Sequence, residues 1–265
     1  MVDLEVLGSL VVRADGTQRR LAPALRVLLL CLLCAEGELV PAGRLAGLVS
    51  RTAVEFSPAT LRSHVSHLRR AIGDATGREV RESAIVTDKV GGTTAYALRM
   101  DAVRVDASRF VRDAALGLRE LQAGDAGRAA NTLRSALGLW RGQPLSDAAG
   151  YSFAQAEIKR LDGAYRAALV ARVHADALCG LDRSITGELE ALVGRWPDDE
   201  ALRVLLVTCL YRSGRTSEAA RACRDAIEFT LQHGLEPRRL AALQMEVLNG
   251  TLPRLAPAVA AVTAE

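Results

Sequence analysis

Residues 57–73 read SPATLRSHVSHLRRAIG. Leu61, Val65, Leu68 and Ile72 recur at helical spacing and give this stretch one apolar stripe. The opposite face carries Thr60, Ser63, Ser66, His67 and Arg70, and Arg62 and Arg69 stand on its borders. Ser57 is placed to cap the helix, Pro58 suits its first position, and Gly73 suits its end. A helix with one dry side and one side of basic and small polar groups suits the major groove. There Arg reads guanine, and Ser or Thr bonds base edges in either sense. The same face also fits plain solvation, since every surface helix has a polar side. The flanking sequence bears on that choice.

Upstream, residues 3–13 (DLEVLGSLVVR) alternate and then break at Gly8, and Ala14-Asp15-Gly16 reads as a turn. This predicts a small antiparallel sheet through about residue 22. Pro23 to Cys34 reads as an apolar helix ended by Glu36-Gly37-Glu38, and Val40 to Val49 predicts a second helix behind Pro41. Downstream of the basic helix come a loop at 74–78 and two extended runs, Ala84–Thr87 and Ala95–Arg99. Asp88 to Thr94 (DKVGGTT) joins them with a glycine tip. Sheet, three helices and hairpin, in that order, make a winged helix-turn-helix over residues 1–100. Its third helix would enter the major groove, and its hairpin would lie along the backbone or minor groove. Lys89 would offer a charge there, and Thr93 or Thr94 a hydroxyl. The alternative for the hairpin is a sheet edge without such contact.

Asp101 to Asp106 reads as a connector, and beyond it the pattern is helical. Residues 123–140 (AGDAGRAANTLRSALGLW) and 213–229 (SGRTSEAARACRDAIEF) resemble each other. Gly180 lies 34 residues before Gly214, the tetratricopeptide period. Gly124 and Gly180 are 56 apart, which leaves room for about 22 extra residues near 144–165 beyond one period. Residues 107–250 therefore read as about three degenerate helix pairs with an insertion after the first, with a simple helical bundle as the alternative. Residues 251–265 hold Pro and Ala without periodicity and read as a disordered tail. The expected fold is mainly α: an N-terminal winged helix with small β-sheets, followed by an all-α tetratricopeptide-like domain.

Composition agrees with this division. A chain of 265 residues has room for two domains, and 49% hydrophobic with 25% charged residues is a globular composition. Aromatics make up only 4%, so cores must be built from Leu, Ala and Val. The net charge is +3. Residues 1–100 hold 13 Arg plus Lys against 10 Asp plus Glu, and the remainder holds 21 of each. The basic excess thus sits in the part expected to meet phosphate.

Cys31 and Cys34 form C-x-x-C inside an apolar run with no second pair at zinc spacing, so they read as buried small hydrophobes. Five cysteines and no signal peptide point to a reduced, cytoplasmic protein. The run Val27 to Ala35 is too short to span a bilayer. No P-loop, H-E-x-x-H or G-x-S-x-G is present, and the four His do not stand at metal spacing. Neither catalysis nor a cofactor nor a metal is expected.

The order LEVLGSLVV, an apolar helix, SPATLRSHVSHLRRAIG, IVTD…AYALR and VDASRF, then helical repeats, resembles the Streptomyces antibiotic regulatory proteins. LWRGQPL and HGLEPRRLAALQ strengthen the match, which runs over about residues 3–250. The resemblance implies a response-regulator-type winged helix with a bacterial transcriptional activation domain behind it. It also implies an activator of secondary-metabolite genes that binds direct repeats in double-stranded DNA and recruits RNA polymerase holoenzyme. Direct repeats in turn call for a head-to-tail homodimer on the DNA. A repressor, or a repeat-based interaction module without DNA binding, are the other readings. The chain departs from the family pattern at His67, where Arg is common, and at Gly91-Gly92-Thr93-Thr94, where the wing usually carries Pro-Gly-Tyr. It departs again at Leu48-Val49, in place of Leu-Trp. With no receiver or nucleotide-binding module in the sequence, activity is expected to follow protein level, DNA occupancy or something bound by the repeats. A fragment of residues 1–106 is expected to bind one half-site without activating.

Overall fold

The computed structural model describes residues 2–14, 16–50, 58–73 and 83–251. Ser57, the loop at 74–78 and residues 252–265 of the expected tail lie outside them. The chain divides into two compact units, Met1–Arg112 with Ala136–Tyr165, and Asp113–Ser135 with Arg166–Glu265.

The first unit opens with β1 (Val2–Glu5), β2 (Val11–Ala14), β3 (Thr17–Arg19), α1 (Pro23–Cys34), β4 (Val40–Pro41) and α2 (Ala42–Val49). It continues with α3 (Pro58–Gly73), β5 (Ile85–Val90), β6 (Thr93–Leu98), a 3-10 turn at Met100–Ala102 and β7 (Val103–Val105). α1 is apolar all round, and Val27 to Leu33 are all buried, so it is the core helix of this unit. It packs on α2, α3 and β6. α3 turns Leu61, Val65, Leu68 and Ile72 inward, each at most 3% exposed. The thiols of Cys31 and Cys34 lie in this interior, where burial pushes them up to about 11 and about 12.

Two sheets flank the helices, in the orders β3-β2-β1-β7 and β4-β6-β5. The first is not purely antiparallel as expected: β7 pairs parallel to β1, with Leu4 opposite Val105. The connector at 101–106 is thus a turn and a sheet strand. A three-residue strand carries no periodicity to read, and only its pairing with β1 defines it. In the second sheet β5 and β6 extend through most of the expected joint and leave only Gly91-Gly92 at the tip. Both have positive φ, 58° and 79°, as the tight turn matched to strand twist requires.

α4 (Asp106–Gln122) and α5 (Ala126–Leu137) follow, then a 3-10 turn at Ser146–Ala148 and the long α6 (Ser152–Leu178). Segment 141–147 is bound to the loop between β1 and β2. Arg141 N donates to Leu7 O at 2.8 Å and Leu145 N to Val6 O at 2.8 Å. The Asp106 carboxylate accepts from Val6 N at 2.7 Å and Leu7 N at 3.2 Å. Asp147 accepts from Leu10 N at 2.6 Å, Ser9 Oγ at 2.9 Å and Arg26 Nη1 at 2.8 Å. Phe110 and Tyr165 pack on Trp140, with ring centroids at 5.2 and 4.6 Å. Residues 136–165 therefore belong to the same packed body as the winged helix. The extra residues expected near 144–165 are the segment carrying the 3-10 turn and the first half of α6.

In the second unit come the remainder of α4, α5 and α6, then α7 (Asp182–Arg195), α8 (Glu200–Arg212), α9 (Thr216–Gln232) and α10 (Arg238–Asn249). From α8 on, each helix packs on its predecessor. The recurring glycines share one device. At the end of α8, Gly214 N donates to Tyr211 O at 2.9 Å and Arg215 N to Leu210 O at 3.0 Å, with Gly214 at φ +82°. Gly124, Gly180 and Gly234 end α4, α6 and α9 in the same way. A left-handed residue satisfies the last carbonyls, and glycine adopts it without a Cβ clash. A charged cluster lies inside this unit: buried Asp176 accepts from Arg134 at 2.8 Å and from Arg172 at 3.0 Å, and Arg172 also pairs with Glu188.

Candidate nucleic-acid interface

The core grips α3 by one stripe, and most of the opposite face is open. Thr60, Arg62, Ser63, Ser66, His67 and Arg70 are all exposed. At 3.6 residues per turn, Ser63, His67 and Arg70 run along the middle of the open face. Arg62 lies at one border and Thr60 at the other. Among the described residues, no hydrogen bond or ion pair holds the side chains of Arg62, His67 or Arg70.

Arg69 differs. It is half-buried and donates from Nε and Nη2 to Ile85 O at 3.0 and 2.9 Å, and from Nη2 to Thr87 Oγ1 at 2.6 Å. Burial lowers its pKa below the ordinary guanidinium value. This arginine ties the open helix to the first strand of the hairpin. On that hairpin Lys89 pairs with Thr94, two positions beyond the pair of Thr87 with Tyr96. Strand side chains alternate, so Lys89 and Thr94 share the face that carries Thr87 and meets Arg69. Thr93 pairs with Val90 and lies on the other face. The structure thus gathers six of the expected residues on one helix face and two on one hairpin face. It sets Thr93 apart from those two and uses Arg69 between helix and hairpin.

Residues 105–248 match the bacterial transcriptional activator domain. The chain is 31% identical to the regulatory protein DnrI of Streptomyces peucetius over 94% of this chain and 92% of that protein. It is 31% identical to the regulatory protein AfsR of Streptomyces griseus over 86% of this chain, which spans only 22% of that protein. A solved structure of Mycobacterium tuberculosis EmbR, in complex with a low affinity phosphopeptide, superposes with a TM-score of 0.80 at 28% identity. That match covers 95% of this chain and 66% of EmbR.

The chain belongs to the Streptomyces antibiotic regulatory protein family. Two features of this family member carry little signal in its sequence. Gln18, Arg19 and Arg20 line a cleft of about 440 Å³ together with His67, Arg70 and Ala71. The clue was Arg19-Arg20 straight after a turn, inside the basic first part of the chain. The second is the contact between the LGS loop and LWRGQPL. Both belong to family motifs, yet their meeting across more than 130 residues leaves no trace in local pattern. Among the described residues no helix is long and apolar enough to cross a membrane, and no group of three or more His, Cys, Asp or Glu could hold a metal ion.

Proposed function

We propose that this regulator is a sequence-specific DNA-binding activator of secondary-metabolite genes. It binds direct repeats near promoters as a head-to-tail pair and recruits RNA polymerase. α3 enters the major groove. Arg70, Ser63, Ser66, His67 and Thr60 face base edges, where a single Arg can read both acceptors of a guanine. Arg62 at the border meets a phosphate, and Lys89 with Thr94 meets the backbone or minor groove, while Thr93 on the other hairpin face does not join them. Arg69 holds the hairpin at a fixed distance from the helix.

The observation that carries this reading is the open stripe of α3. Among the described residues its Arg62 and Arg70 have no protein partner, while its other side is locked into the core. Names of relatives support a regulatory role, and the basic excess of residues 1–100 supports a polyanionic partner. The test is footprinting across promoters of the neighbouring genes with a salt titration at each protected site. Protection of tandem half-sites with affinity falling steeply with salt is the expected result. No protected site, or affinity indifferent to salt, overturns the reading.

A further inference from the structure

The open face of α3 has two flanks. On the Arg69 side stands the hairpin with Lys89. On the other side, past His67 and Ala71, stands the end of β3 with Arg19 and, just beyond it, Arg20. The cleft between β3 and α3 is lined by three arginines, one histidine and a glutamine, with no carboxylate among them. Arg19 Nε is buried with no hydrogen-bond acceptor, an uncommon state for a guanidinium nitrogen. Among the described residues, no acidic group pairs with Arg19, Arg20 or Arg70. Three guanidiniums gathered without a counter-charge, one of them with a buried vacant donor, match an oxyanion such as phosphate.

We infer that the N-terminal sheet is a second contact with the nucleic-acid backbone: Arg19 and Arg20, beside His67 and Arg70, seat one phosphate of the strand opposite the hairpin. The inference rests on the reading that α3 occupies the major groove. That groove is about 12 Å wide and walled by two phosphate strands, so a helix in it has a backbone on each side. The hairpin serves one wall, and β3 serves the other. Arg70 stands between the roles: its stem follows the helix face, and its fork reaches either the cleft or the base beside it. Arg19 and Arg20 therefore act without base preference, as phosphate contacts do.

The test uses the full chain, the double variant Arg19→Ala/Arg20→Ala and the charge-keeping Arg19→Lys/Arg20→Lys. Each is titrated with the footprinted duplex and with an unrelated duplex over a range of salt. The alanine variant is expected to bind both duplexes more weakly. Its log–log salt slope should flatten by about 0.9 for one lost contact, with the ratio between duplexes and the melting temperature unchanged. The lysine variant is expected to keep most of the slope. A wild-type slope in the alanine variant overturns the inference while leaving the helix reading intact. A wild-type chain that shows no salt-dependent binding to either duplex defeats both. A third arm titrates inorganic phosphate into the DNA-free chain and follows the His67 ring resonance. Saturation there that Arg19→Ala/Arg20→Ala abolishes, combined with an unchanged DNA slope, would assign the cleft to a free anion and overturn the backbone assignment.

Discussion

Arg69 and Arg70 are adjacent in the chain and point about 100° apart around α3. Periodicity alone distinguishes them as border and middle, and that much was legible. What Arg69 touches was not. Its acceptor is the carbonyl of Ile85, 16 residues on, in a strand whose register is set by pairing with β6. Replacing Arg70 by Ala is expected to cost about 1–3 kcal/mol of binding and to relax preference at one operator position. Replacing Arg62 by Ala should weaken binding to every sequence alike and flatten the salt slope by about 0.9. Arg69→Ala removes a forked contact with a backbone carbonyl and a hydroxyl, which should lower fold stability by about 1–3 kcal/mol. Arg69→Lys separates positioning from phosphate contact. A lysine keeps the charge but is a point donor that lacks the planar fork. It should melt early and bind poorly, and a wild-type melt and affinity in Arg69→Lys would show that its charge is all that matters.

At the scale of elements, legibility followed length and period. α1 and α3 were readable nearly to the residue, α1 as an apolar run between Pro23 and Glu36-Gly37, and α3 because its apolar positions repeat over about three turns. The turn glycines were readable because one backbone requirement recurs. β7 and the contact of loop 6–10 with segment 141–147 were not, since each depends on chain brought from far away. That contact has a pH signature. Burial by itself raises the Asp147 carboxyl, but the Leu10 N–H, the Arg26 guanidinium and the Ser9 hydroxyl together hold it below the usual range. A carboxyl depressed in the folded state stabilises the fold above its unfolded pKa of about 3.9, and the contribution fades as pH falls through the folded value. Asp147→Ala should therefore lose roughly 1–3 kcal/mol near neutral pH, toward the low end because the Arg26 pair is partly exposed. The gap between variant and wild type should begin to narrow as pH falls below about 4 and close only below the lower folded value. Thermal melts of both chains from pH 7 to pH 3 measure this. The comparison must be with the variant, because burial shifts Asp106, which is bound to the same loop, upward. A gap that stays constant with pH would mean that Asp147 acts by shape and not by charge.

For the whole molecule, the compact units do not follow the order of the sequence. Residues 136–165 pack with the winged helix, so the compact unit that carries α3 extends beyond residues 1–106. Cutting at 106 removes Arg141, Leu145 and Asp147 and leaves the carbonyls of Val6 and Leu7 and the N–H of Leu10 without their partners. Unpaired backbone groups of this kind destabilise a fold by about 1–3 kcal/mol each where they stay buried. A fragment of residues 1–106 should consequently melt well below a fragment of residues 1–165, and bind a half-site more weakly although it keeps all of α3 and the hairpin. Neither fragment should activate transcription if α7 to α10, which both lack, carry the surface for polymerase or for the next protomer. Direct repeats call for protomers related by translation along the duplex, which demands a head-to-tail contact and not a two-fold one. Half-sites one helical turn apart, about 10–10.5 base pairs centre to centre, place both copies of α3 on one face of the duplex. Gel shifts on a single half-site and on tandem and inverted pairs, run beside in vitro transcription with both fragments and the full chain, measure all of this together. A 1–106 fragment that binds as tightly as the full chain would make the contact with residues 141–147 dispensable. Activation by the 1–165 fragment would move the activating surface out of the second unit, and preference for the inverted pair would replace head-to-tail assembly with a two-fold dimer.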